Sequence, residues 1–386
     1  MAIPSPDPEV DKPPRLKRWI PISLKLFVVF LLLFGVGSAL WIGIPAYRQF
    51  AVIRTVKRLG GHVGAADSDG AKRGPDWLRG MIGEEWMRGV DRIDQVGLRD
   101  RAATDSDLSP FAGLTELTWL DLARTQVTDD GIRRLTGLAT LETLWLPETK
   151  ITDAALPYVR RLTNLVQLSV TGTRVTDAGL QHLAGLDKLT WIYLNRSHVT
   201  DTGMRSLHRL PNLEWLAIDG IQFTDAGLQN VQALPHLRTL MLEGNDVTDE
   251  HLTRLTALPD LASLHLVKTK VTGTGLINLE ALKSLEELRV EDSPLVDENL
   301  SHLTLLPNLR TLSLKGTQIT DDGLREIKNL SDLENLFLND TDVTDAGLQH
   351  LQGMSNLCRV YLHRTEVSNR GTNDLKKALP NVYISN

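Results

Sequence analysis

The chain has 386 residues, 42% hydrophobic and 23% charged, which suits an ordered protein and excludes a largely disordered one. Its formal charge of −6 is unevenly spread: residues 1–60 hold nine Lys/Arg against three Asp/Glu, or +6, so residues 61–386 carry −12. An acidic body argues against nucleic acid as the main partner, because phosphate binding needs a basic face, and the single cysteine, Cys358, excludes an internal disulfide.

Residues 1–25 read as a disordered basic tail, with five prolines before residue 19 and no apolar periodicity. Residues 26–44 then run without a charge from Leu26 to Ile44. At about 1.5 Å per residue these cover roughly 28 Å, the thickness of a hydrocarbon core, and Trp19, Trp41 and Tyr47 stand where interfacial aromatics belong. The run is apolar on every face, unlike a core helix. We expect a transmembrane helix acting as a signal anchor. A cleaved signal peptide, using Leu26–Gly37 as its apolar core and Gly37–Ala39 as its cleavage site, is the alternative. Either places the rest of the protein on the extracytoplasmic side of a cell membrane, in a single-pass arrangement if the segment stays.

Residues 45–92 predict a juxtamembrane segment and solenoid cap. Phe50, Val52, Ile53, Val56 and Leu59 form a helical stripe that ends at Gly60-Gly61. Pro75–Trp77 opens a second helical piece whose Trp77, Met81, Ile82 and Trp86 would cover an open end, which a terminal repeat requires.

From residue 93 the sequence repeats every 24 residues. First leucines fall at Leu117, Leu141, Leu165, Leu189, Leu213, Leu237, Leu261, Leu285, Leu309, Leu333 and Leu357. Ile93–Leu98 gives a copy before them, and Val382–Ile384 a final strand after one extra residue. A fixed period in this range marks a solenoid. In L-x-x-L-x-L the last four positions alternate, as in a strand; the second half spaces leucines by three, as in a short helix or helical turn. Thr-Asp pairs, as at 128–129, 176–177 and 320–321, are expected to start those helices: the hydroxyl accepts an orphan N–H and the carboxylate favours the positive end. Capping explains these carboxylates without a metal ion. No P-loop, zincin, nucleophile-elbow or C-x-x-C pattern is present, so no enzyme or cofactor is predicted. His182, His302 and His350 share a repeat position in non-adjacent copies and cannot converge on one ion.

The consensus L-x-x-L-x-L-x-x-[T/N]-x-[V/I]-T-D-x-G-L resembles the leucine-rich repeat, in the version found in bacterial multi-repeat proteins and F-box leucine-rich-repeat proteins. The resemblance covers 93–386. It implies an α/β solenoid, a curved horseshoe with parallel strands on the concave face and short helices on the convex face. The family's asparagine site is mostly Thr or Ser here, with Asn245 an exception and Ile221 a residue that cannot bond the turn, so that turn is expected to differ.

In such a fold the third and fifth positions of each strand motif face the concave side. Seven of these 24 sites are aromatic, where a whole-chain content of 5% predicts about one. Trp119, Trp145, Trp191, Tyr193 and Trp215 are expected to form one patch over five repeats; Phe337, Tyr361 and Arg359, with His363 and Arg364, form a second. These residues predict a binding module or scaffold that grips a protein partner. A carbohydrate or envelope-polymer binder using the tryptophans as stacking platforms is the alternative. A ubiquitin-ligase-like substrate adaptor follows only from the resemblance, and no F-box precedes the repeats.

Overall fold

Alternation of leucine with polar residues produces one three-residue strand per repeat. The protein is described from a computed structural model, which covers residues 44–64, 93–221 and 224–386. The predicted membrane segment, apart from Ile44, and the second cap helix around Trp77 lie outside these residues. Among the described residues no helix is long and apolar enough to cross a membrane.

The strands are β1 (His62–Gly64), β2 (Gln95–Gly97), β3 (Trp119–Asp121), β4 (Thr143–Trp145), β5 (Gln167–Ser169), β6 (Trp191–Tyr193) and β7 (Trp215–Ala217). They continue as β8 (Thr239–Met241), β9 (Ser263–His265), β10 (Glu287–Arg289), β11 (Thr311–Ser313), β12 (Asn335–Phe337), β13 (Arg359–Tyr361) and β14 (Tyr383–Ser385). All join one sheet in chain order. From β2 onward every pair is parallel and offset by 24 residues, as in Trp191 opposite Trp215. The last pair keeps this offset, Arg359 opposite Tyr383, so the expected extra residue before the final strand is not there.

The leucines fill the space between sheet and helical layer; Leu120, Leu144, Leu168, Leu216 and Leu240 have no exposed surface. Helix α1 (Ile44–Leu59) covers the N-terminal end with Val52, Ile53 and Val56, as its stripe predicts. It stops at Gly60, whose φ of +73° suits glycine. β1 then returns antiparallel to β2, an element the sequence did not suggest.

The Thr-Asp pairs divide their work differently from the expectation. Threonine caps its own segment at most pairs, though not at Thr104, Thr200 or Thr248: Thr176 Oγ1 accepts from Ala178 N–H at 3.3 Å. The aspartate serves the next repeat instead. Asp153 accepts the N–H of Thr176 on one oxygen and its hydroxyl on the other, both at 2.7 Å. Asp105, Asp129, Asp177, Asp201, Asp297 and Asp321 do the same for Thr128, Thr152, Thr200, Thr224, Thr320 and Thr344, and Asp345 does so for Ser368; Asp249 takes both bonds from Thr272 on Oδ2 and the N–H groups of Gly273 and Gly275 on Oδ1.

The glycine of T-D-x-G follows from this bond. A Cβ at Gly131, Gly179, Gly203, Gly323, Gly347 or Gly371 would collide with the carboxylate of the preceding repeat. Where a side chain replaces that glycine, as at Asp107, Ala155, His251 and Asn299, the segment opens as a 3-10 turn. Where glycine stands after an intact Thr-Asp pair it opens as an α-helix, as at Asp129–Arg134 and Asp321–Ile327. The junction before Asn299 loses its set together: Gly273 has no carboxylate, Val296 has no hydroxyl, and Asn299 occupies the vacated space.

Candidate binding face

On β2 to β13 the middle residue is buried in the core, and the two flanking residues lie on the opposite side of the sheet, mostly half-buried. This places every predicted aromatic on one open face. Trp119, Trp145, Trp191, Tyr193, Trp215, Phe337 and Tyr361 are all half-buried, and Arg359 is exposed.

The rings form three groups. Trp119 and Trp145 meet at 6.1 Å between centroids, with His62 of β1 at 6.0 Å from Trp119. His62 fits because Gly97 lies opposite it; a Cβ there would overlap the imidazole. Trp191 and Trp215 stack at 4.8 Å and 19°, with Tyr193 at 6.3 Å from Trp215. No ring contact among the described residues joins these two groups. β5 stands between them with Gln167 and Ser169, so the single five-repeat patch is divided. At the far end Phe337 and Tyr361 stack at 4.5 Å and 1°, and Tyr383 meets Tyr361 edge-on at 6.2 Å. Tyr383 escaped the sequence reading because the assumed extra residue put it out of frame.

The polar residues around the rings are tied down. Arg359 donates to Asn335 Oδ1 at 3.0 Å, Arg364 to Asp340 at 3.0 Å, and His363 Nε2 lies 2.9 Å from Ser385 Oγ. The indole N–H groups of Trp145 and Trp215 are buried with no acceptor. These two residues therefore expose ring surface and no donor.

Between the aromatic groups lies a polar stretch. Ser263 Oγ is 3.1 Å from His265 Nε2 and donates to Glu287 Oε2 at 3.0 Å, while Arg289 Nε donates to Glu287 Oε1 at 2.6 Å. His265, Arg289 and Ser263 together hold Glu287 down to about 2, against the opposing effect of its burial. The residue types suggest a hydrolytic triad, but the geometry is different: Glu287 accepts from the serine itself and approaches the same histidine nitrogen, at 3.7 Å, instead of orienting the other one. Among the described residues no cluster of three or more His, Cys, Asp or Glu could hold a metal ion. Cys358 is exposed.

The turn site behaves as the hydroxyls predict, with one addition. Thr125, Thr149, Thr173, Thr317 and Thr341 donate to the carbonyl three residues back, as in Thr125 to Leu122 at 2.7 Å. Ile221 has no such group, and Asn245 supplies the bonds from the next repeat. Its Nδ2 donates to Ile218 O at 2.9 Å and its Oδ1 accepts from Ile221 N–H at 3.0 Å.

A family model described as leucine rich repeat matches residues 233–250 and 306–328. The chain is a leucine-rich-repeat protein. Among solved structures its fold is similar to an internalin from Listeria monocytogenes, 24% identical, with a TM-score of 0.53 over 76% of this chain and 86% of that one. A leucine-rich-repeat protein from Leptospira interrogans is 19% identical, with a TM-score of 0.49 over 83% of this chain and 94% of that one. No curated protein sequence matches this leucine-rich-repeat protein.

Proposed function

We propose that this leucine-rich-repeat protein is a binding module for a protein partner, seated on the open face of the sheet, and that residues 26–44 tether it to a cell membrane with the repeats outside the cytoplasm. The observation that carries the binding reading is the group Trp191, Tyr193 and Trp215: three large rings, Trp215 meeting both others, half-buried on the side of the sheet opposite the leucine core. Clustered rings of this kind are typical anchors of protein interfaces. Thirteen parallel strands at about 4.8 Å spacing extend the face over roughly 60 Å, a span suited to a macromolecule. The stack of Trp191 on Trp215 covers one face of each ring, which leaves less platform for a sugar than for a partner's side chains.

Proximity labelling from the intact membrane-bound protein tests both parts. The wild type should label a discrete protein on the extracytoplasmic side, and Trp191→Ala or Trp215→Ala should abolish that labelling without unfolding the repeats. Labelling unchanged by both substitutions, or retention on envelope polysaccharide in place of a protein, overturns the binding reading; labelling of cytoplasmic proteins overturns the orientation.

A further inference from the structure

Among the described residues the open face carries two acidic side chains that the chain's own arginines join to an aromatic ring, and a third acid, at the turn after β7, that no arginine joins. Arg99 donates from Nε to Asp121 at 2.8 Å and lies over the Trp145 ring, 5.6 Å from its centroid. Arg289 donates from Nε to Glu287 at 2.6 Å and lies over Phe337, 5.8 Å from its centroid. The third acid stands at the turn after β7, two residues beyond Ala217, which pairs with Tyr193. It is Asp219, which forms no ion pair with a lysine or arginine among the described residues, although the His265 charge acts on it.

The surroundings explain why. Asp219 Oδ1 accepts from the N–H of Glu243 at 2.8 Å, which fixes the carboxylate without neutralising it. The lysine and arginine that line this place are engaged elsewhere: Lys268 with Glu243 at 3.1 Å and Arg196 with Glu148 at 3.1 Å. In most repeats the turn residue after the strand has positive φ and carries a charged side chain, as at Arg124, Arg196 and Lys268. Beside Asp219 two consecutive repeats have glycine there, Gly220 and Gly244, so neither turn carries a side chain to reach over. What remains is a cavity of about 400 Å³ bounded by Asn195, Arg196, Asp219, Glu243 and Lys268. The strand leading to it is low. Ala217, fully buried, is paired between Tyr193 and Met241, so the sheet surface dips between the aromatic group and the carboxylate.

We propose that this place takes an arginine side chain from the protein partner, its stem lying across Tyr193 and Trp215 along the dip at Ala217 and its guanidinium on Asp219. The proposal rests on the reading of the open face as a protein-binding surface. A planar guanidinium stacks on rings and forks onto a carboxylate, which is what Arg99 and Arg289 already do in this molecule. Burial raises the pKa of Asp219, against the lowering effects of the Glu243 N–H bond and the His265 charge, so the carboxylate gains from an arriving cation. The acidic charge of residues 61–386 favours a basic partner over an acidic one.

The test is selection of a random linear twelve-residue peptide library, displayed on phage, against the full-length protein, followed by titration of selected peptides against variants. Arginine should be enriched at one position of the binders. Asp219→Asn, which keeps the acceptor for Glu243 N–H and so the fold, should weaken the best peptide by about 10–100-fold. Replacing the peptide's arginine by glutamine should have the same effect, and should have little further effect in the Asp219→Asn protein. Binders that depend on Trp191 and Trp215 but lack arginine and ignore Asp219→Asn overturn this proposal and leave the protein-binding face standing. Failure to obtain any tryptophan-dependent binder overturns both.

Discussion

Asp225 turns away from Thr248 and grips Arg254 instead, with Nε and Nη2 donating to its two oxygens at 2.8 Å each. At nine other junctions the equivalent aspartate holds the next repeat's threonine or serine. Here the glycine of the motif is His251, whose ring fills the carboxylate's place and makes the bonds it would have made. Its Nδ1 accepts from Thr248 N–H at 3.0 Å and lies 2.8 Å from the Thr248 hydroxyl. One substitution thus changed three partners.

This exchange predicts a non-additive pair. His251→Gly alone removes the acceptor for Thr248 N–H and should cost about 1–2 kcal/mol. Arg254→Ala in that background releases Asp225 to hold Thr248, so the double variant should be more stable than the sum of the single effects by at least about 0.5 kcal/mol. Hydrogen exchange at Thr248 and the following turn measures it locally. Simple additivity would mean that the carboxylate does not return.

Asp153→Ala should loosen the junction it spans. It removes two charge-assisted bonds to Thr176 and leaves an N–H without its acceptor, an expected loss of about 2–3 kcal/mol. Because repeats contact only their neighbours, protection should fall mostly around 150–185. Uniform loss along the chain would contradict a junction-by-junction account.

Asn245→Ala should be more damaging than Thr317→Val. The threonine satisfies one carbonyl in its own turn, whereas Asn245 satisfies a carbonyl and an N–H in the preceding repeat, where Ile221 has no polar group. Expected costs are about 2–3 and about 1 kcal/mol. The urea midpoints of the two variants decide the order.

Acid should weaken the middle of the sheet through Glu287. Its carboxyl ionises at about 2 in the folded protein, held down by His265, Arg289 and Ser263. A depressed folded value means the contribution is complete above the ordinary carboxylate pKa near 4.5 and is lost as pH falls toward 2. The contribution should be about 2–3 kcal/mol. Glu287→Gln should flatten that part of the stability–pH profile, followed by hydrogen exchange of β9 to β11.

Much of the architecture is legible from one repeat. The leucine frame set the strand positions and the buried core, and the strand alternation put Trp119, Trp145, Trp191, Tyr193, Trp215, Phe337, Arg359 and Tyr361 on one face. The division of the first aromatic patch was less apparent, because it depends on what β5 carries between two groups and on how far indole rings reach. His62 and Tyr383 lay outside the assumed frame: one arrives on an antiparallel strand, the other on a strand whose usual first leucine is Asn381.

The sequence by itself determined the period, the layer each residue belongs to, and the residue types on the open face, since a 24-residue repeat with a two-residue alternation in its strands leaves little choice about which side is buried. Only the tertiary structure decided the partners across repeats. That Asp153 serves Thr176, that Asn245 completes the turn at Ile221, and that Asp219 accepts from the N–H of Glu243 all depend on groups 23 or 24 residues apart being brought within about 3 Å. A single repeat cannot show this, because each of these bonds has its donor in one copy and its acceptor in another.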